Sequence, residues 1–445
     1  MGLVRSVRNI HYAWVTLVIA VVMRLVSSVE RTASGVLVAY MVDPTGDFGW
    51  SRSTVGLALS LQWIFSGVFG PPAGWLGDRF GLRTTMALGA VLFLVTSLLI
   101  GLVSAPWHFL VSFGILLSAA LAVFQVPLVT AVTMWFQRHL GVAMGTLQSA
   151  QGVANLLFAP MMVALLTHFG WRWAFWGPGI VGGLILLVLA RFFYNEPAEL
   201  GLRPLGASPE APVQKVHSGA NAKVRTQIFL KQARRTVAFW NLIGIHYWGC
   251  AGHAIVIVYL ADIIRGQGLS LTTGALVVGT MYGVSSFTRF AVPILADRAG
   301  SKFAMSLCFF LQGLPILLLF WAHEAWHFYL FAVLMGIGFG GEMSAFPIIN
   351  RQYYGNAPTG TVYGWQMLGA GFGMASGSFL GGFLRDWSGD YTLPLIASFT
   401  LSMAGTLSIL VLPSTSHHQI PEWETALPAE LRSGPTTRRA TATGD

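Results

Sequence analysis

The side chains in this sequence that could do chemistry are ionisable groups set inside long apolar runs. Arg289 interrupts the run at 271–296 as Thr288-Arg289-Phe290. A bare arginine at a bilayer centre costs roughly 2.5–3.5 kcal/mol on insertion scales, so it is retained for a reason. Its guanidinium is a planar fork that matches a carboxylate through two parallel hydrogen bonds. The alternative is a structural arginine paired with a nearby acid. Arg24, Glu30 and Arg31 stand in the run at 13–41. Arg24 and Arg31 are seven apart and share a helical face with Ser27 and Ser28, a polar stripe that should face a cavity. Arg31 either contacts an anion or pairs with Glu30. Arg24 lies deeper and either pairs with Glu342 or serves a solute with more than one negative charge.

His246, Cys250 and His253 follow one helical face at i, i+4 and i+7. No acid completes the set and a lone cysteine is a poor third ligand, so neither a metal site nor a cofactor is expected. His253 either donates to a solute, carries a proton or is packed; His246 reads as packed. Glu342, within Gly340-Gly341-Glu342-Met343-Ser344, is expensive in lipid unless paired or protonated. It is a proton-coupling candidate, with Glu30 and His253 beside it, or else a structural partner for an arginine. Gln62, Gln125, Gln148, Gln151, Asn155, Tyr282, Tyr363 and Gln366 are secondary cavity candidates, equally able to bond helix to helix.

The elements that must position these residues are set by composition. Of 445 residues, 54% are hydrophobic and 10% charged, with a mean hydropathy of +0.64. That is too little charge to coat a water-soluble globule, which carries about 25%. Apolar runs long enough to cross a bilayer fall at 13–41, 52–76, 84–104, 107–134, 142–168 and 172–194. A second six fall at 239–263, 271–296, 303–322, 326–350, 359–384 and 391–412. The expected organisation is a six-helix bundle over 1–194, a cytoplasmic linker over 195–238, a second bundle over 239–412, and a disordered cytoplasmic tail over 413–445. About 19 of the 26 Lys and Arg fall in the termini and even-numbered loops, against four in the opposite loops. This bias places both termini in the cytoplasm and excludes nucleic acid as the partner of the +9 net charge. The N-terminal MGLVRSVRNIHYAW lacks a cleavage site and opens the first helix instead of a signal peptide. Cys250 and Cys308, both in apolar stretches, read as buried small side chains.

The two sets of spans are copies. Asp78-Arg79 recurs as Asp297-Arg298 and Gly145 as Gly364 at an offset of 219, while Trp135-Phe136 recurs as Tyr353-Tyr354 at 218. Pro127 matches Pro347 and Trp171 matches Tyr391 at 220. Six spans per copy restore the same orientation, which makes this a parallel repeat with a solute site between the halves near the midplane.

After the second span the chain reads Gly74-Trp75-Leu76-Gly77-Asp78-Arg79-Phe80-Gly81-Leu82-Arg83. Gly81 permits a tight turn, and Asp78 can accept from helix N-terminal amides. The segment resembles the signature of the major facilitator superfamily between spans two and three. A degenerate copy stands at Asp297-Arg298-Ala299-Gly300-Ser301-Lys302. The resemblance implies an all-α membrane protein of twelve helices in two six-helix bundles, with Asp78 and Arg83 holding a cytoplasmic gate. Trp135-Phe136-Gln137-Arg138 running into Gly141, Gly145 and Gly152 is similar to the opening of span five in monocarboxylate transporters. Gly382-Phe383-Leu384-Arg385-Asp386-Trp387-Ser388-Gly389-Asp390-Tyr391 is similar to their turn between spans eleven and twelve, and Phe48-Gly49-Trp50-Ser51 matches as well. Monocarboxylate transporters and oxalate/formate antiporters also carry a single span-eight arginine, so the resemblance implies that Arg289 binds a substrate carboxylate. The monocarboxylate transporters place a lysine in outer span one, close to Arg31. Two positions depart from the pattern. Ser285 stands where animal monocarboxylate transporters have an aspartate, and Tyr363-Gly364-Trp365-Gln366 offers no basic residue where oxalate antiporters carry one.

The expected activity is therefore secondary transport of a small organic anion, a lactate- or pyruvate-type monocarboxylate moved with a proton by alternating access. Exchange of dicarboxylates or another anion is the alternative, and a non-transporting membrane sensor is a third reading. No nucleophile–base pair suggests an enzyme. The expected partners are a small carboxylate, protons and the lipid bilayer, with the monomer as the working unit.

Overall fold

The computed structural model describes residues 11–30, 41, 48, 50, 52–208, 219–355 and 357–432. The first half comprises α1 (Tyr12–Ser27), α2 (Thr54–Phe80), α3 (Leu82–Gly101), α4 (Pro106–Trp135), α5 (Leu140–Phe169) and α6 (Trp171–Arg191). The second comprises α7 (Val237–Gly266), α8 (Leu271–Ala299), α9 (Ser301–Phe320), α10 (Ala325–Tyr354), α11 (Gly360–Ser388) and α12 (Thr392–Leu410). Ten of these helices are long and apolar enough to cross a membrane; α1 and α5 complete the twelve. Among the described residues there is no sheet, only an isolated bridge between Phe136 and Leu205. Intrahelical hydrogen bonding is what an apolar solvent demands of a spanning backbone. Large apolar side chains line the outer faces: Phe379, Trp387 and Leu102 are 74%, 73% and 63% exposed. This is a surface suited to lipid, and the chain is a multi-pass membrane protein.

The repeat is legible in the backbone. Gly81 joins α2 to α3 at φ +86°, and Gly300, 219 residues on, joins α8 to α9 at φ +94°. Gly170 and Gly389, again 219 apart, turn the chain into α6 and α12 at φ +83° and +80°. Each needs the left-handed region that a side chain disfavours.

The halves meet along two seams. Along α2 and α11, Gly67 lies against Gly371, Gly70 against Gly364 and Gly74 against Gly360, so closely that a Cβ on Gly74 would overlap the Gly360 carbonyl. Along α5 and α8, Gly141 lies against Pro293, Gly145 against Phe290 and Gly152 against Ser286. Small residues let helices approach to backbone contact where lipid supplies no hydrophobic drive. Each seam ends in the same polar lock. Asp78 Oδ2 accepts from the Thr361 amide and hydroxyl, both at 2.7 Å, at the N-terminus of α11. Asp297 Oδ2 accepts from the Gly141 amide at 3.2 Å, at the N-terminus of α5. Thus each half contributes an aspartate that caps a helix of the other half, where orphan N–H groups and the positive dipole end favour an anion. Arg79 lies over the Trp75 and Phe80 rings at 4.8 and 4.7 Å, the Arg83 amide donates to Asn195 Oδ1 at 2.8 Å, and Arg298 is exposed.

The segments expected to be a plain linker and a disordered tail differ from expectation. The linker contains a helix, Gly219–Ala233. The tail is ordered through residue 432, because it has something to bury against that helix: Trp423 and Leu431 are buried. Arg225 of the linker helix donates to Glu424 at 2.6 Å and to the Leu431 carbonyl, with its guanidinium 4.9 Å from the Trp423 ring centroid. Residues 433–445 lie outside the described residues.

Removing the Asp78 carboxylate should loosen the α2–α11 seam by the value of a helix cap, about 1 kcal/mol. A cysteine placed at Met367, which packs against Gly70, should react several-fold faster with a membrane-impermeant maleimide when Asp78 is also replaced by alanine. An unchanged rate would refute the lock.

Candidate functional site

Arg289 is carried on α8 between the seam contacts at Ser286 and Phe290, eight residues before Asp297. Its guanidinium stands 5.4 Å from the Phe339 ring centroid on α10. Phe339 is a hub: Tyr282, seven residues before Arg289 on the same helical face, meets it edge-on at 5.9 Å, and His253 of α7 does so at 5.0 Å. Arg289 is not in an ion pair; among the described residues the carboxylate pairs are His253–Glu342 and Arg225–Glu424. Tyr282, Glu342 and Tyr363 lie within its electrostatic reach. A guanidinium resting on an aromatic face keeps its in-plane N–H fork available to an anion.

Residues of the first half reach the site at Tyr363, which the second half supplies. Tyr363 of α11 is buried at the seam, beside the Gly364 contact, with its hydroxyl approached by the amides of Gln125 and Gln148 and in the field of Arg24 as well as Arg289. Arg24 follows the polar stripe of α1: Ser27 and Ser28 hydroxyls donate to its carbonyl, at 3.2 and 2.7 Å, and Ser28 also donates to Gln151 at 3.1 Å. Two cations from different halves therefore lie within electrostatic reach of one phenol. The Arg24–Glu342 pairing weighed from the sequence is not what Glu342 makes.

Glu342 pairs with His253, with Oε2 2.8 Å from Nδ1. Its placement follows from a break in α10. The first segment ends at Glu342 and the second begins at Phe346-Pro347, where proline supplies no N–H to continue the ladder. The Cys250 thiol donates to Glu342 Oε1 at 3.6 Å. This corrects the expectation that no acid completes the Cys250–His253 face: the ligand atoms of Cys250, His253 and Glu342 all lie within 4.8 Å of one another. The acid arrives from another helix, 89 residues beyond His253, where helical periodicity has no view of it.

Other expected residues fall elsewhere. Glu30 is fully buried but turns toward Ser97 of α3 and Gly179 of α6, inside the first half and away from Arg289. Gln366 forms a reciprocal amide pair with Asn350, at 2.8 and 2.9 Å, that ties α11 to α10. His246 stacks on Phe346 at 4.0 Å and is packing. Arg31 and the Asn155 side chain lie outside the described residues. Sequence reasoning missed Phe339 and Gln312. Phe339 sits one helical turn before Glu342, a usable signal; Gln312 had none, being one amide among many.

Comparison with known proteins agrees with this architecture. The family model for the Major Facilitator Superfamily matches residues 20–323 and 254–441. A monocarboxylate transporter 13 of Bos taurus is 26% identical over 383 residues, covering 84% of this chain and 82% of the relative. An oxalate:formate antiporter of Oxalobacter formigenes is 25% identical over 410 residues, covering 90% and 91%. The solved structure of the transporter FucP in its outward conformation superposes with a TM-score of 0.68 at 13% identity, covering 90% of this chain and 99% of that one. These relatives are transporters, not enzymes. With both halves matched by the family model and each half locked to the other through its own copy of the loop aspartate, this chain belongs to the Major Facilitator Superfamily.

Proposed function

We propose that this transporter moves a small organic anion, a monocarboxylate of the lactate or pyruvate type, together with a proton. The observation that carries the reading is Arg289: a guanidinium in mid-span, backed by Phe339, with no carboxylate pair among the described residues. A charge in that position marks a substrate or ion pathway. The apolar and phenolic surroundings fit a short carboxylate with a small organic body. The similarity to a monocarboxylate transporter and to an oxalate:formate antiporter supports the same class of solute.

The basic termini and even-numbered loops support a cytoplasmic membrane location with both termini inside. On that orientation the Asp78 and Asp297 locks close the cytoplasmic side, and the site opens outward, where Tyr282 is 39% exposed. Alternating access then requires the two glycine seams to part as the halves rock about Arg289. Glu342, paired with His253, is the proton carrier; Glu30, turned into the first half, is not. The monomer is the transporting unit.

Radiolabelled uptake into proteoliposomes tests this. Arg289→Ala should reduce lactate or pyruvate uptake at least tenfold, the value of a charge-assisted carboxylate contact of about 1.5–3 kcal/mol; unaltered uptake would sink the assignment. Glu342→Gln should keep solute exchange across the membrane while abolishing accumulation driven by an inward proton gradient. If accumulation persists, Glu342 does not couple.

A second reading, exchange of a dicarboxylate, is favoured by Arg24, which lies with Arg289 within electrostatic reach of Tyr363. On that reading Arg24→Gln loses dicarboxylate uptake and spares monocarboxylate uptake, and wild-type transport ignores a pH gradient. Loss of monocarboxylate uptake in Arg24→Gln would exclude it.

A further inference from the structure

A cleft lies between the halves on the side of the Asp78 lock. Thr133 at the end of α4, with Leu202 and Pro204 of the segment after α6, lines it from the first half. Arg351 at the end of α10 and Thr359 at the start of α11 line it from the second. The segment after α6 is fastened to the first half, because the Leu205 carbonyl accepts from the Gln137 and Arg138 amides at 3.0 and 2.9 Å. Arg351 is positioned by its neighbours: Asn350 is tied to Gln366, and the Tyr353 hydroxyl donates to the Pro413 carbonyl at 2.6 Å. Its own Nη1 donates to the Gly355 carbonyl at 2.8 Å, just past the end of its helix. That contact occupies one end of the guanidinium. The edge formed by Nε and Nη2 enters no ion pair or hydrogen bond among the described residues. Such an edge takes an oxyanion through two parallel N–H···O bonds. Thr359 is the N-cap of α11, yet its hydroxyl does not cap the helix; Asp78, reaching across from α2, accepts from the Thr361 amide instead. The Thr359 hydroxyl is therefore a second donor on the same cleft.

We propose that this cleft is a second anion site, separate from Arg289, which binds a small singly charged oxyanion through the Arg351 guanidinium and the Thr359 hydroxyl. Small carboxylates and monobasic phosphate share that chemistry. Glu196 also lines the cleft, and its negative charge works against anions of higher charge. The position 218 residues before Arg351 is Thr133, on the facing wall, so the repeat again supplies a charge on one side only. Because the walls come from both halves, parting the halves dismantles the site. An occupant then stabilises the closed arrangement by mass action.

Calorimetry on the purified full-length Arg289→Ala protein, with acetate, pyruvate and inorganic phosphate, isolates the cleft from the transport site. Saturable binding of acetate and pyruvate is expected, tighter than that of phosphate at a pH where phosphate is a dianion. Adding Arg351→Gln should weaken it at least tenfold, and adding Thr359→Val about fivefold. Absence of saturable binding in Arg289→Ala, tighter binding of the phosphate dianion, or affinity unchanged by Arg351→Gln overturns the proposal. Should Arg351→Gln fail to fold, Arg351→Lys and Thr359→Val decide, and wild-type affinity in both overturns it. The link to closure is read in Arg289→Ala protein that also carries Asp78→Ala and Met367→Cys. Saturating acetate should slow maleimide labelling there several-fold, and Arg351→Gln should remove the protection; a rate indifferent to acetate refutes the link. Since Arg289 is replaced throughout, failure of the anion-transport reading leaves this result standing, and failure here leaves that reading untouched.

Discussion

The absence of water inside the bilayer is the constraint on which the rest of this structure depends. A polar group there cannot turn to solvent for a partner, so most are answered by another part of the chain. The backbone answers itself within twelve helices. The aspartates of the two loop motifs answer helix ends of the opposite half, Asp78 on α11 and Asp297 on α5. Asn350 and Gln366 answer each other. Glu342 is answered by His253 and Cys250. Arg289 is a cation held over an aromatic ring with its hydrogen-bonding fork unspent on any carboxylate among the described residues.

The same constraint shapes how the halves hold together and how they can part. Without a hydrophobic drive between helices in lipid, the seams rely on backbone-close packing at glycine and on one capped helix end each. Such contacts are dense but individually weak. On the other side of the ledger, the clasp between the linker helix and the tail adds an ordered surface beside the α2 end, through Arg225, Trp423 and Glu424.

The repeat makes the scaffold symmetric and leaves the site asymmetric. Gly81 and Gly300, Gly170 and Gly389, and Asp78 and Asp297 are paired in both sequence and conformation. Arg289, by contrast, stands 219 residues from Gly70, which serves as a seam contact. One copy of the position packs and the other carries a charge. Duplication fixes helices and turns, because these depend on local pattern; a single charged side chain does not.

Much of this was readable from the chain alone. Apolar runs of bilayer length, the 219-residue offset, the loop motif and the stranded Arg289 depend on neighbours in sequence or on the cost of charge in lipid, and each is a local property of the residues concerned. Partnership between helices is not local. That Glu342 meets His253 and not Arg24, that Glu30 turns into its own half, that Gln366 is spent on Asn350, and that the tail folds onto the linker helix all depend on which faces meet in space. Periodicity places a residue on a face but does not choose the face opposite. The sequence determined a twelve-helix, two-fold repeated membrane protein with a buried cation. Only the tertiary structure decided which polar groups pair with each other, because in a medium without water that choice is made by contact.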